Sequence, residues 1–111
     1  MNNYEEYKVK VYANGDKHWC QNGQLHRTDG PAIEYADGDK FWYQNGQLHR
    51  TDGPAIENAN GTKLWYQNGQ CHRTDGPAVE HTNGTKQYFA YGKEYPSLPT
   101  QEDIITRDII E

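Results

Sequence analysis

A seven-residue sequence, HRTDGPA, occurs three times in this chain at a constant spacing of 23 residues. The copies occupy residues 26–32, 49–55 and 72–78. The similarity extends over full units at 14–36, 37–59 and 60–82, followed by a partial unit at 83–95. A fixed period of this size is typical of a repeat array, in which each unit buries its apolar side against its neighbours.

The composition favours a thin core. The chain of 111 residues fits a single domain, 1–111. Its apolar fraction is 33%, whereas globular domains usually have about 45–50%. Nine Tyr, three Trp and two Phe supply much of this fraction. We therefore expect a core of stacked rings rather than a thick aliphatic core.

Charge and hydropathy exclude several classes of partner. The net charge of −5 does not suit a protein that binds nucleic acid directly. No apolar run approaches the roughly 18 residues of a membrane span. The N-terminal sequence MNNYEEYKVKV lacks the apolar stretch of a signal peptide. We expect a cytoplasmic protein without a membrane partner.

Two glycine-containing dipeptides in each unit predict hairpin turns. Asn-Gly and Asp-Gly are the strongest signals for two-residue type I′ turns, because both central residues need a positive φ. Around Asn45-Gly46 the predicted pairs are Gln44–Gln47, Tyr43–Leu48, Trp42–His49 and Phe41–Arg50. Around Asp37-Gly38 the predicted pairs are Ala36–Asp39, Tyr35–Lys40, Glu34–Phe41 and Ile33–Trp42.

These pairs divide the side chains between two faces. One face carries Ile33, Trp42 and His49; the other carries Glu34, Phe41 and Arg50, beside Ala32, Tyr43 and Leu48. An aromatic residue recurs at the Trp42 position in every unit, which indicates that this face is inward. The Phe41 position accepts both polar and apolar residues in different units, and it is predicted to be partly exposed.

Both ends of the array carry distinct segments. Residues 4–13 end in an alternating pattern that predicts a strand pairing with the first unit as a cap. Residues 96–111 predict a linker and a short α-helix, with Thr100 as N-cap and Asp103 completing a capping box. Its Ile104, Ile105 and Ile109 can share an apolar side. This helix either covers the open end of the array or forms a homodimer contact.

The predicted fold is all-β: an antiparallel β-hairpin repeat array, as a meander or open solenoid, with a short C-terminal α-helix. We expect about seven or eight short strands. The TDGP segment should interrupt each return strand, because proline lacks an N–H, and Asp52 is expected to cap the local backbone there.

Repeated histidines and arginines are the candidate functional residues. His26, His49 and His72 lie two strands apart, about 10 Å, so they cannot converge on one metal ion, and we predict no metal and no cofactor. We expect them to pack on the Trp42-type rings and bond to backbone. Three arginines form a second row: Arg27, Arg50 and Arg73. The row is either structural, through salt bridges or aromatic stacking, or it binds carboxylates or phosphates.

Nothing in the sequence predicts catalysis. Ser97 is the single serine. Cys71 precedes His72, but neighbours on a strand point to opposite faces. Cys20 and Cys71 occupy different positions in their units, so we interpret both as packing substitutions rather than a disulfide.

The unit resembles MORN repeats. The matching features are Tyr35, Asp37-Gly38, Lys40, Asn45-Gly46, His49 and Gly53. The unit departs from the family pattern in having HRTDGPA in place of a compact His-Gly-x-Gly, and Trp42 in place of Tyr followed by Gly. The resemblance covers residues 7–95. It implies scaffolding or binding rather than enzymatic activity, in a small phage or bacterial protein.

Together these observations predict a non-catalytic protein that docks on a protein partner, and a phage-type inhibitor of a bacterial host or defence protein is one form of that role. The predicted binding residues are Arg27, Arg50, Arg73, Phe41, Tyr43 and Tyr66. The alternative is a sponge that holds a small anionic ligand or nucleotide between repeats.

Overall fold

The computed structural model describes residues 6–104 as an open antiparallel β array with one helical turn at 101–104. The strands are β1 Lys8–Val11, β2 Lys17–Gln21, β3 Gln24–Leu25, β4 Ile33–Glu34, β5 Lys40–Phe41, β6 Tyr43–Gln44, β7 Gln47–Leu48, β8 Ile56–Glu57, β9 Lys63–Leu64, β10 Tyr66–Gln67, β11 Gln70–Cys71, β12 Val79–Glu80, β13 Lys86–Ala90 and β14 Lys93–Tyr95. The predicted fold class is confirmed.

Most strands join one continuous sheet. Its order is β1-β2-β4-β5-β8-β9-β12-β13-β14, with β3 paired to β2. The hairpins β6–β7 and β10–β11 form separate two-stranded sheets. The expected strand number was too low, because each long strand is divided at two places. Trp42 separates β5 from β6, and the loop at 49–55 separates β7 from β8. That loop is the interruption predicted at TDGP.

The Asn-Gly turns have the predicted geometry. Asn45 and Gly46 have φ of 52° and 79°. Strands β6 and β7 pair Tyr43 with Leu48 and Gln44 with Gln47, as predicted. The N–H of His49 also donates to the carbonyl of Trp42 at 3.0 Å, but the pairing ends there, because the N–H of Arg50 donates to Tyr66 of the next unit at 3.1 Å.

The Asp-Gly turns differ from the prediction by one residue. Glu34 pairs with Lys40 and Ile33 with Phe41, so the predicted pairs Glu34–Phe41 and Ile33–Trp42 are wrong. The N–H of Tyr35 donates to the carbonyl of Asp39 at 2.9 Å, which leaves three residues in the loop. Only Gly38 in this loop has a positive φ, of 100°. This is the pattern of a type I turn followed by a left-handed glycine.

The corrected register creates two rows across the main sheet. The first row contains Lys10, His18, Ile33, Phe41, Ile56, Leu64, Val79 and Gln87. The second row alternates in charge: Lys17, Glu34, Lys40, Glu57, Lys63, Glu80 and Lys86. Neighbouring residues of a strand face opposite sides, so one face of the sheet is mainly apolar and the other is a ladder of opposite charges. Each directly opposed charge pair contributes roughly 0.2–1 kcal/mol.

The core is thin and made of small residues. The most deeply buried apolar residues are Ala32, Ile33, Ala55, Ala78, Val79 and Ala90. The alanine of each GPA sequence is fully buried and pairs its backbone with the preceding and following strands; for example, the N–H of Ala55 donates to Leu64 and its carbonyl accepts from Trp42. The molecule measures 45 × 40 × 17 Å, so a single layer of side chains on each side of the sheet accounts for its thickness.

Side-chain carboxylates also join successive Asp-Gly or Asn-Gly loops. The N–H of Ala36 donates to Asp16 and the N–H of Ala59 donates to Asp39, each at 2.7 Å. Within each Asp-Gly or Asn-Gly loop of this type, the first side chain accepts from the backbone two residues later, as Asp37 does from Asp39 at 3.0 Å. These bonds tie each loop to itself and to the next loop of the same type.

The ends of the described chain match two predictions. Strand β1 pairs antiparallel with β2 and caps the first unit. Thr100 and Asp103 form the predicted capping box: the Thr100 Oγ1 accepts from the Asp103 N–H at 3.1 Å, and the Asp103 carboxylate accepts from the Thr100 N–H at 3.0 Å. The expected apolar side with Ile105 and Ile109 lies outside the described residues. Between residues 6 and 104 there is no helix long and apolar enough to cross a membrane.

Replacement of Gly46 by Val is expected to lower the free energy of unfolding by about 1–2 kcal/mol, because a branched residue must adopt a left-handed conformation. A Cβ at Gly46 would lie 3.5 Å from Gln24, an ordinary contact, so crowding adds little. The matched variant Gln47→Val changes an exposed strand position and should cost less than about 0.5 kcal/mol. Urea denaturation followed by tryptophan fluorescence measures both, and equal losses would contradict the turn geometry.

Candidate functional site

Each HRTDGP loop closes around its arginine. In the second unit, Arg50 Nε donates to the Asp52 carboxylate at 3.0 Å, and Nη1 donates to the Pro54 carbonyl and to Glu57, each at 3.0 Å. The guanidinium carbon also lies 3.9 Å from the centroid of the Trp42 ring. The first and third units repeat all of these contacts. Asp52 therefore receives the arginine, and its expected role in capping the local backbone stays a prediction.

The arginine row lies on a different face from the one predicted. The sequence placed Arg50 with Phe41, opposite Trp42, but its guanidinium covers Trp42 instead. The side chains of Arg27, Arg50 and Arg73 are only 19%, 22% and 23% exposed. Both structural alternatives, the local salt bridge and the aromatic stack, are present in every unit.

The close approach of the arginine explains the glycine of TDGP. A Cβ at Gly53 would lie 2.9 Å from Cζ of Arg50, and one at Gly76 would lie 2.6 Å from Cζ of Arg73. Any side chain at these positions would displace the guanidinium from the tryptophan. The glycine and the arginine are therefore required together.

The charges around each arginine are already balanced. Each guanidinium faces an exposed aspartate and a half-buried glutamate. In the first unit the hydrogen bond from Arg27 holds the pKa of Asp29 below its usual value. The stack on tryptophan is worth roughly 0.5–2 kcal/mol, whereas exposed ion pairs add little. These arginines stabilise their loops and have little charge left for an added anion.

The repeated histidines join one unit to the next. The Nδ1 atoms of His26, His49 and His72 accept the backbone N–H of Asn45, Asn68 and Tyr91 at 3.0, 3.0 and 2.9 Å. The acceptor role fixes the proton of each neutral ring on Nε2. The predicted bond to backbone is confirmed. The predicted packing on a tryptophan ring is not confirmed, because His26 stacks on Tyr7 and His72 contacts Tyr91.

Two equivalent clefts lie between successive HRTDG loops. The first, of about 470 Å³, is lined by Arg27, Thr28, Asp29, Gly30, Trp42, Gln44, His49, Arg50, Thr51 and Asp52. The second, of about 550 Å³, is lined by Arg50, Thr51, Asp52, Gly53, Trp65, Gln67, His72, Arg73, Thr74 and Asp75. Their volumes are in the range of ligand pockets, about 300–1,000 Å³. The predicted residues Phe41, Tyr43 and Tyr66 line neither cleft.

A cluster of rings lies on the apolar face of the sheet, away from the clefts. Tyr12 contacts His18 at a centroid distance of 5.0 Å, His18 contacts Tyr35 at 6.2 Å, and Tyr35 contacts Phe41 at 5.5 Å. We call these four residues the aromatic face. Tyr12 and Tyr35 are 42% and 37% exposed. Phe41 is thus the one predicted site residue in this cluster, and the arginines are not part of it.

The predicted residues Tyr43 and Tyr66 occupy equivalent positions in hairpins β6–β7 and β10–β11. They pair with Leu48 and Cys71 respectively. Burial raises the pKa of both tyrosines above the usual value. Both rings are half-buried in their hairpins, so they contribute more to packing than an exposed contact residue does.

The sequence contained a signal for the missed residues Tyr12, His18 and Tyr35. At their two positions the unit varies: Tyr12, Tyr35, Asn58 and His81 occupy one, and His18, Phe41, Leu64 and Gln87 occupy the other. The constant positions form the loops and turns. The variable positions are free to differ because the fold does not depend on one particular side chain there.

Both described cysteines are free thiols. Burial, with the nearby charge of Glu94 as a smaller cause, raises the pKa of Cys71 to about 11. The thiolate is the nucleophilic form, so this environment disfavours a reactive cysteine. Among residues 6–104, no group of three or more His, Cys, Asp or Glu side chains is arranged to hold a metal ion.

Comparisons with protein-family models, with curated proteins and with solved structures find no match to this chain. The resemblance to MORN repeats therefore stays a prediction.

Replacement of Arg50 by Lys should lower the free energy of unfolding by about 1–3 kcal/mol, although the charge is kept. An ammonium cannot cover the Trp42 ring and also reach the Pro54 carbonyl and Glu57, as the planar guanidinium does. Asp52→Asn removes only the exposed carboxylate and should leave the urea midpoint near that of the original protein. A midpoint for Asp52→Asn as low as that for Arg50→Lys would show that the exposed Arg50–Asp52 pair, rather than the stack on Trp42, stabilises the loop.

Cys71 should react slowly with iodoacetamide in the folded protein. With a pKa of about 11, about one thiol in a thousand is ionised at pH 8. In a Cys20→Ser variant, the alkylation rate should be about 100-fold below that of glutathione. It should rise about tenfold for each pH unit up to pH 10, and it should recover in urea. A fast, pH-independent reaction would show that the thiol is activated.

Proposed function

We propose that this protein is a non-catalytic binding protein that docks on a protein partner through the aromatic face, Tyr12, His18, Tyr35 and Phe41. The observation that carries the proposal is the division between constant and variable positions. The constant Arg, His, Asp and Gly residues contact their own loops or the next unit, whereas the aromatic face consists of positions that vary between units.

The chemistry of this face suits a protein interface. Aromatic residues are enriched in the central part of interfaces, and they contribute much of the binding energy. The tyrosines combine a large apolar surface with a hydroxyl that bonds to a polar rim. On the described chain, Tyr12 and Tyr35 are two of the five large apolar residues that are clearly exposed. The flat sheet presents them without a covering element from residues 6–104.

The cellular location and biological role in this proposal come from the resemblance to MORN repeats. We propose that the protein acts in the bacterial cytoplasm as a phage-encoded inhibitor of a host or defence protein. The raised pKa of Cys71 supports a role without nucleophilic catalysis. The alternative of an anion sponge is less favoured, because each arginine between the repeats already faces two carboxylates.

The proposal is tested with a Tyr12→Ser/Tyr35→Ser variant and with a photoreactive phenylalanine in place of Tyr35. The photoreactive protein should crosslink, in a bacterial lysate, to the same protein that co-purifies with the unmodified chain. The double serine variant should retain at most about a tenth of that protein, because interface tyrosines each contribute more than 1 kcal/mol in typical cases.

A matched control separates binding from folding. Lys63→Ser/Lys86→Ser changes two exposed residues of the charge ladder on the opposite face, so it should keep the partner. Both double variants should melt within a few degrees of the original protein. Unchanged recovery with the tyrosine variant, or equal loss with both variants, contradicts the proposed interface.

A further inference from the structure

Three hairpin turns of the array share the sequence QNGQ and the same backbone conformation. Asn22, Asn45 and Asn68 have φ of 53°, 52° and 51°, and the glycine after each also has a positive φ. In an Asn-Gly dipeptide the backbone nitrogen of the glycine can attack the asparagine side chain readily, because glycine has no side chain to hinder the approach. The three turns are chemically matched, so a difference in their reactivity has to come from their surroundings.

The second and third of these turns are held by the hairpin that precedes them. The N–H of Gly46 donates to the Leu25 carbonyl at 2.9 Å, and the N–H of Asn45 donates to Nδ1 of His26 at 3.0 Å. The third turn makes the same two bonds, at the same distances, with the second hairpin. In both turns the attacking nitrogen is therefore occupied, and the asparagine is fixed to another unit.

The first turn has no such hairpin before it. Within residues 6–104, neither the N–H of Asn22 nor that of Gly23 has a hydrogen-bond partner. A Cβ at Gly23 would meet no atom within 4 Å, whereas one at Gly46 would lie 3.5 Å from Gln24. A cavity of about 360 Å³, lined by Lys8, Cys20 and the turn itself among others, gives water access to this position. The first turn can open without breaking bonds to another unit.

The remaining three Asn-Gly dipeptides lie in the loops of the other type, which are closed by their own bonds. Each glycine donates its N–H to the carbonyl three residues earlier, at 2.9, 2.9 and 3.0 Å for Gly15, Gly61 and Gly84. Each asparagine Oδ1 accepts the N–H two residues later, at 3.0, 2.9 and 2.9 Å for Asn14, Asn60 and Asn83. Among the six Asn-Gly dipeptides of the described chain, only Asn22-Gly23 thus has an unpaired glycine N–H.

We propose that Asn22 is a site of spontaneous conversion to aspartate and isoaspartate, in preference to the other five Asn-Gly dipeptides. The Gly23 nitrogen gives its proton to solvent and attacks Cγ of Asn22. The new C–N bond closes a succinimide ring, and Nδ2 leaves as ammonia. Water then opens the ring: addition at Cγ breaks the new bond and gives aspartate, whereas addition at the main-chain carbonyl breaks the original peptide bond and gives isoaspartate. Water is the single co-reactant, and nothing is oxidised or reduced.

The conversion alters the first hairpin in two ways. A carboxylate replaces a neutral amide, so the protein becomes more negative. Isoaspartate also adds a methylene to the backbone of the turn, and the length of a hairpin loop sets the register of its strands. The pairs Cys20–Leu25 and Gln21–Gln24 of strands β2 and β3 should therefore be lost or shifted in the isoaspartate form. This site is separate from the aromatic face and does not depend on its proposed role.

The experiment ages the full-length protein at pH 8 and follows each dipeptide by tryptic peptide mapping. The six Asn-Gly dipeptides fall in six different tryptic peptides, and electron-transfer fragmentation distinguishes isoaspartate from aspartate. In the folded protein, Asn22 should react about tenfold faster than Asn45 or Asn68, because each hydrogen bond that must break adds to the barrier. In urea the three rates should become nearly equal, since the local sequences are almost the same.

Two variants test the role of the bonds between units. His49→Phe keeps a ring but removes the acceptor of the Asn68 N–H. Asn68 should then react about fivefold faster, whereas Asn45, which His26 still holds, should keep its rate. Asn22→Gln should abolish the product in the first peptide and leave the rates at Asn45 and Asn68 unchanged. A urea midpoint for each variant shows whether it is folded, and the comparison of folded and unfolded original protein does not depend on either variant.

Equal rates at Asn22, Asn45 and Asn68 in the folded protein would overturn the proposal. Faster reaction at Asn14, Asn60 or Asn83 than at Asn22 would overturn it as well. The same holds if Asn22 keeps its full lead in urea, because the preference would then come from local sequence and not from the missing bonds.

Discussion

One guanidinium in each unit holds together three separate pieces of chain. In the second unit it covers the tryptophan of the outgoing strand, fixes the loop through Asp52 and the Pro54 carbonyl, and reaches Glu57 on the next strand of the main sheet. An isolated hairpin is marginally stable in water, and this chain has few buried aliphatic residues. The arginine replaces part of the missing core by combining a flat apolar contact with fixed hydrogen bonds. The same contact explains why all three units have a glycine in TDGP, since the guanidinium leaves no room for a side chain there.

The repeat period and one of the two turns could be read from the residues, and the other turn could not. Asn45-Gly46 has positive φ at both positions, so the dipeptide identified both the turn and the register of its hairpin. Asp37-Gly38 is compatible with a two-residue turn and with a three-residue loop that needs positive φ only at the glycine. Local sequence does not separate these two cases, because both need the same glycine. The choice depends on pairing with strands of two neighbouring units.

This single-residue difference explains one error in the predicted faces. A shift of one residue moves a whole set of side chains to the other face of a sheet. Ile33 was therefore assigned to the face of Trp42, although it pairs with Phe41. Arg50 was misplaced for another reason: the hairpin pairing ends at His49, the N–H of Arg50 donates to Tyr66 of the next unit, and the guanidinium packs on Trp42. To predict the ring cluster of Tyr12, His18 and Tyr35, one would need to know the contacts between strands that are distant in sequence. To predict the clefts, one would need to know the positions of loops from two units. Neither could be derived from one unit alone.

The alternating charge ladder has a consequence for how such chains can change in length. Every unit contributes one lysine and one glutamate to the row, as Lys40 and Glu57 do in the second unit. Adding or removing a whole unit leaves every lysine of the row opposite at least one glutamate, so no like charges come into contact. The contacts of the arginine loop and the histidine hydrogen bond would also be kept, because each involves residues of only one unit and the unit that follows it. Unequal recombination between the segments that encode these similar units would therefore yield longer or shorter arrays that still fold, and the number of clefts would change with them.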